Sequence, residues 1–229
     1  MNRSLKLLIV LLIPFILTAK LLYISNEYFL LEGDSLSPSM TYTFEGEIIS
    51  GLMDTSLKIF TDPIAYYEEN NALYCKDYAT LRELYDLYPR SASLNYSYED
   101  HTEILFKNRK YMSLKHMRVA FTGGAHPNTT SRHWIVNKKT GKIMTFNDLF
   151  VPNAIERIKE LTDSELKLLF QTNNLKKNLF TADYQISEDI YLTKRGVVFQ
   201  YDPYEIAPYA YGAIEIFIPF KKLKGLLKI

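Results

Sequence analysis

Phe121-Thr122-Gly123-Gly124-Ala125-His126-Pro127-Asn128 opens a stretch that closes on Asn147-Asp148-Leu149-Phe150, and the rest of the chain is organised around it. Gly123 and Gly124 accept positive φ because no Cβ clashes there. His126 precedes a proline and is pushed towards extended backbone, and Pro127-Asn128 reads as a turn. Beyond the turn, His133-Trp134-Ile135-Val136 has strand character. Asn137 to Lys142 is a glycine-containing turn, and Ile143-Met144-Thr145-Phe146 is the expected returning strand. The spacing here implies an architecture and names no reaction.

Upstream, Glu103-Ile104-Leu105-Phe106 and Tyr111-Met112-Ser113-Leu114 flank a polar turn and form a hairpin. Met117, Val119 and Phe121 alternate with His116, Arg118 and Ala120, the pattern of a sheet with one buried and one wetter face. Downstream, Asn153 to Asn174 is the one long helix. Asn153 is its N-cap and Glu156 the reciprocal capping-box partner. Ile155, Ile158, Leu161, Leu166, Leu169 and Phe170 share a stripe suited to covering a sheet. A second glycine hairpin joins Ile190-Tyr191-Leu192-Thr193 to Val197-Val198-Phe199-Gln200-Tyr201 through Lys194-Arg195-Gly196. A rigid loop of two prolines and three tyrosines, Asp202 to Gly212, leads into the strand Ala213 to Ile218. Phe220 to Leu227 forms a small helix at most.

Before this region, strands are expected at Thr41 to Ile49 and Ser56 to Phe60, with a turn at Asp62-Pro63. Tyr66-Tyr67 and Leu73-Tyr74 form another short pair, and Thr80 to Leu87 a short helix stopped by Pro89. The fold class implied is α+β: an antiparallel sheet with one long helix packed on a face, plus a smaller β-rich N-terminal region.

Arg3 and Lys6 precede an apolar run from Leu7 to Ala19, the pattern of an export signal. The run is shorter than the ~20 residues of a full membrane span. Lys20 can snorkel, so an uncleaved anchor reaching Ile24 is physically possible. The expected division is therefore 1–24 as signal peptide or N-terminal membrane anchor, 25–41 as linker, 42–102 as the β-rich region and 103–229 as the main domain. Localisation is expected to be extracytoplasmic.

The 229 residues are 47% hydrophobic and suffice for a real core. Lys and Arg number 27 against 26 Asp and Glu, a balance that argues against nucleic acid, whose binding needs a concentrated basic surface. Cys75 is alone, so an intrachain disulfide and a cysteine-rich metal site are excluded.

Three pieces stand in order: Phe121 to Asn128, Phe146 to Phe150, and Tyr201 to Gly212. Together they resemble the RsiV-like C-terminal domain family, a bacterial extracytoplasmic domain of unknown function. The likeness covers roughly Glu103 to Leu227. One group in that family is a lysozyme-binding anti-sigma factor, and another carries the module ahead of a peptidoglycan deacetylase. The family has Gly after Gly-Gly-Ala-His, whereas this chain has Pro127. Only six residues precede Leu7 and no catalytic domain follows Ile229, so the module alone is expected to carry over. The resemblance implies an exported, non-catalytic module that binds a protein (lysozyme-like) or peptidoglycan ligand. Membrane association is expected through the N-terminal segment if it is uncleaved.

No catalytic residue is assigned, and no cofactor or metal is expected. His126 reads as a turn histidine bonded to backbone, or as a general base or metal ligand. His126 and His133 lack the spacing of a helical ligand pair. Ser131, His126 and Asp148 make a conceivable triad, but nothing places Ser131 on a strained elbow. Glu205 reads as the brace of its loop. Tyr204, Tyr209 and Tyr211 suit partner contact, because aromatic rings supply area at low entropy cost. The candidate ligand-binding set is His126, Asn128, Tyr204, Glu205, Tyr209 and Tyr211. Two alternatives remain open: a cell-wall hydrolase or deacetylase using His126, Asp148 and Glu205, or a structural accessory domain of an envelope assembly.

Overall fold

The structure is a computed structural model and describes residues 4–8, 20–29, 39–49, 52, 55–67, 69, 80, 83, 87, 95–172, 174–181 and 183–229. One sheet has the strand order β1-β2-β3-β4-β5-β6: Ser4–Leu8, Lys20–Phe29, Ser39–Ile48, Tyr96–Lys107, Tyr111–Phe121 and Asn128–Asn137. A second, antiparallel sheet has the order β7-β8-β9: Ile190–Leu192, Gly196–Tyr201 and Ile214–Pro219. The chain divides into two compact units, 1–103 with 116–130, and 104–115 with 131–229.

In the first unit β3 pairs parallel with β4, from Met40 opposite Tyr96 to Gly46 opposite Thr102, which makes the larger sheet mixed. Parallel neighbours need a long crossover, and residues 49–95 supply it. The expected strand at Ser56 to Phe60 is helical instead: Thr55–Leu57 is a 3-10 turn and Lys58–Thr61 is α1. Asp62-Pro63 starts a helical segment at 63–67 rather than a turn. Asp62 Oδ1 accepts the Ala65 N–H at 3.0 Å, and proline suits the first helical position because its missing N–H is not needed there. Tyr66 and Tyr67 are therefore helical and not part of a strand pair. Leu73 and Tyr74 lie outside the described residues. Residues 80, 83 and 87 of the expected Thr80 to Leu87 helix are described and helical. Tyr42, Phe44, Leu57, Ile59, Phe60 and Tyr67 are buried in this unit, with the Tyr42 and Tyr67 rings stacked at 4.4 Å.

Near the N-terminus, β1 and β2 pair antiparallel, from Ser4 opposite Glu27 to Leu8 opposite Tyr23. Residues 1–3 and 9–19, which hold most of the expected export run, lie outside the described residues, as do 30–38 of the expected linker. Among the described residues, no helix is long and apolar enough to cross a membrane.

The second unit carries the long helix α3, Ala154–Leu169, with α2 the short turn Phe146–Leu149 before it. Ala154, Ile158, Leu161 and Leu166 of α3 bury against Val197, Phe199, Ile214, Ile216 and Ile218 of the small sheet. The stripe is narrower than the spacing implied: Ile155 and Leu169 are exposed, while Thr162 is buried and bonds the Tyr184 hydroxyl at 2.9 Å. Asn153 makes no side-chain cap. The capping box sits earlier, where the Thr145 hydroxyl accepts the Asp148 N–H and the Asp148 carboxylate accepts the Thr145 N–H at 2.8 Å. The expected returning strand is consequently reduced to one bridge, Val136 opposite Ile143, because Thr145 turns the chain into α2.

Two glycine expectations resolve differently. Gly123 and Gly124 have φ of 90° and 99°, as the bend requires. Gly196 instead begins β8, where a Cβ would collide with the Ile218 carbonyl oxygen.

Candidate functional site

The loop after β8 folds on itself. The Asp202 N–H donates to Glu205 Oε2 at 2.8 Å, and the Glu205 N–H donates back to the Asp202 carbonyl at 3.0 Å. That second bond closes a turn with Pro203 and Tyr204 in the middle. Tyr204 takes φ of 69°, a position usually left to glycine or asparagine. The residue is 55% exposed, and its ring leans on Tyr209 with centroids 5.3 Å apart. Tyr209–Tyr211 then makes a 3-10 turn that ends at Gly212, φ 64°. Tyr211 is 45% exposed. Its ring meets Phe170 edge-on at 4.8 Å, and its hydroxyl accepts the Asn178 amide at 2.8 Å. Tyr211 and Phe170 line a cavity of about 340 Å³ with Gln171, Asn178 and Glu215.

Glu205 is therefore a brace. Burial raises its carboxyl, and the neighbouring Asp202 charge adds to that effect. Asp202 is likewise raised by burial, although the Ser131 N–H and Arg132 oppose the shift. Of the other candidates, His126 and Asn128 belong to the first unit. His126 Nδ1 lies 2.9 Å from the Pro127 carbonyl, and Asn128 begins β6. Tyr204, Glu205, Tyr209 and Tyr211 belong to the second. Of the conceivable triad, Ser131 is buried, with its backbone N–H on Asp202 Oδ1 at 2.9 Å, and the Asp148 carboxylate closes the capping box with Thr145.

Two polar clusters have no counterpart in the motif reading. In the first unit, Asp100 is wholly buried and accepts Arg118 Nε and Nη2, each at 2.8 Å, with His116 Nε2 at 2.6 Å from Oδ1. Burial pushes its carboxyl up, but the His116 and Arg118 bonds outweigh that and hold it below the usual carboxylate range. His116 and Arg118 therefore serve a buried carboxylate rather than a wetter sheet face. In the second unit, Asp189 accepts the His133 N–H at 2.7 Å and faces His133 Nδ1 at 3.0 Å, while the His133 ring stacks on Tyr191 at 4.7 Å. Asp189 and Asp202 together take the outward N–H groups of β6 at His133 and Ser131. The available signal was the alternation itself: Asp100 follows Tyr96 and Tyr98 at two-residue spacing, and His116 precedes Arg118 by the same step. Among the described residues, no group of three His, Cys, Asp or Glu side chains is placed to hold a metal.

Residues 147–221 match the family model of DUF3298, a protein of unknown function. The matched segment runs from the α2 turn through α3 and the small sheet. A DUF3298 family member from Bacteroides fragilis has a similar structure, with 20% identity and a TM-score of 0.73 over 93% of this chain and 95% of that one. A DUF3298 family protein from Pseudomonas aeruginosa PAO1 gives 19% identity and a TM-score of 0.64 over 92% and 95%. At these identities the likeness is one of fold. No curated protein matches the chain.

Proposed function

We propose that this chain is an exported bacterial envelope protein whose second unit is a non-catalytic binding module, with the tyrosine loop as its recognition surface. The observation that carries the reading is Tyr204: an aromatic residue, 55% exposed, with φ of 69°. A ring left exposed forgoes the stability its burial would give, and a non-glycine residue at positive φ carries strain of the kind that concentrates at ligand sites. Tyr209 packs against the ring, and Glu205 closes the turn that carries it. A pre-set aromatic platform suits a protein surface, because little conformational freedom is lost on contact. The RsiV-like resemblance makes lysozyme the first ligand to try and peptidoglycan the second.

The test is a pull-down of lysozyme, and separately of insoluble peptidoglycan, by the mature chain across a range of salt. Binding that is lost in Tyr204→Ala and Tyr211→Ala with the fold intact would support the proposal. Recovery of neither ligand at any salt would overturn it.

A further inference from the structure

A second cavity in the second unit, away from the tyrosine loop, has a different chemistry. It is open, of about 420 Å³, and its apolar walls include Phe106, Tyr111, Leu192, Phe220 and Leu227. Lys110 and Lys194 line it as well, and both are exposed. Neither lysine has an ion-pair partner among the described residues. We infer that this cavity binds a straight-chain fatty-acid anion, its hydrocarbon chain against the apolar walls and its carboxylate between the Lys110 and Lys194 ammonium groups.

The cavity's edges are pre-organised. Asn108 Oδ1 accepts the Lys110 and Tyr111 N–H groups at 2.8 and 2.7 Å, which fixes the turn that presents Lys110. Thr193 Oγ1 accepts the Gly196 N–H at 3.0 Å, which shapes the turn that presents Lys194. The Phe220 N–H donates to the Arg195 carbonyl at 3.0 Å, and the Leu227 wall is tied down by its bridge to Phe150 and by the Lys228 N–H on the Leu149 carbonyl at 2.8 Å. The volume falls within the range of small-molecule pockets, where apolar walls and a few placed polar groups divide affinity from orientation. Apolar walls left to water favour hydrocarbon. Two lysines in the lining, neither in an ion pair among the described residues, favour an anionic head and disfavour a cationic one. A neutral sugar or a peptide backbone meets neither demand as well, because neither offers a long hydrocarbon chain with one terminal charge.

The test titrates the full chain by calorimetry with dodecanoate below its micelle concentration. Dodecyl maltoside, dodecyltrimethylammonium and butyrate serve as probes that change the head or remove the chain. Dodecanoate is expected to saturate at one molecule per chain. The double variant K110Q/K194Q is expected to weaken it at least about tenfold, the order expected for lost charge-assisted contacts. Both substitutions are on exposed side chains, so far-UV circular dichroism should be unchanged. Equal affinity for dodecyl maltoside, undiminished binding by K110Q/K194Q, or no saturable dodecanoate binding would each overturn the inference. Binding only to vesicles of anionic phospholipid would also overturn it, in favour of a membrane surface.

Discussion

The Asp189 carboxylate holds His133 at two points: Oδ1 accepts its backbone N–H at 2.7 Å, and Oδ2 lies 3.0 Å from its ring Nδ1. The ring side chain is 1% exposed, and the ring is stacked on Tyr191. Strand β6 ends its sheet, and an open strand edge carries unpaired N–H groups. Asp189 and Asp202 satisfy two of these on His133 and Ser131. Asp189→Ala should therefore destabilise the protein by about 3 kcal/mol, the scale of leaving a buried polar partner uncompensated. Asp189→Asn, which keeps an oxygen acceptor, should cost less. Chemical denaturation measures both, and a loss in Asp189→Ala no larger than that of a surface substitution would refute the clip.

Acid should weaken the first unit through Asp100. Its folded pKa is depressed, so the unfolded chain takes up the proton first as pH falls. The contribution is full above the ordinary Asp value of 3.8 and is lost as pH drops through the folded value. Asp202 and Glu205 are raised, and the sign reverses: their ionisation costs stability as pH climbs through their folded values. Urea midpoints between pH 2 and 7 should show a steep acid limb that flattens in Asp100→Asn, with pH limits set by the ordinary carboxylate range.

Tyr204→Gly removes both the ring and the cost of positive φ at that position. The fold should gain about 1 kcal/mol, while binding through the loop should fall. Tyr204→Ala should lose binding equally without that gain in stability. A large drop in melting temperature for Tyr204→Gly would mean that the ring is structural.

Gly196→Ala places a Cβ against the Ile218 carbonyl and the Pro219 Cα, both backbone, so the β8–β9 pairing must open. A cost of about 2–3 kcal/mol is expected, at the upper end for an overpacked site. Gly124→Ala meets open space and pays only for its φ of 99°, a cost of about 1–2 kcal/mol. Thermal unfolding of the two variants should preserve that order.

Thr145→Ala should cost about 1 kcal/mol by breaking the capping box, whereas Asn153→Ala should be close to neutral, because its side chain caps nothing. Equal losses in the two variants would contradict the helix starts described above.

By itself the sequence determined what depends on neighbouring residues. The positive φ of Gly123 and Gly124, the Ile190 to Tyr201 hairpin, the long helix beginning at Ala154 and the α+β class follow from glycine freedom and apolar periodicity, which are local. The Glu205 brace was legible for the same reason, since its partner is three residues away. Other features depended on which segments meet. Ser56 to Phe60 has strand composition, yet Asp62 and Pro63 start a helix directly after it, and its apolar residues bury as helix. Thr145 and Asn153 are both plausible caps, and only Thr145 acquired a reciprocal partner. Asp100 with Arg118, and His133 with Asp189, are separated by 18 and 56 residues. No local pattern pairs them; the fold did so because a buried carboxylate or an open strand edge must find its hydrogen-bonding partner within the protein once water has been excluded.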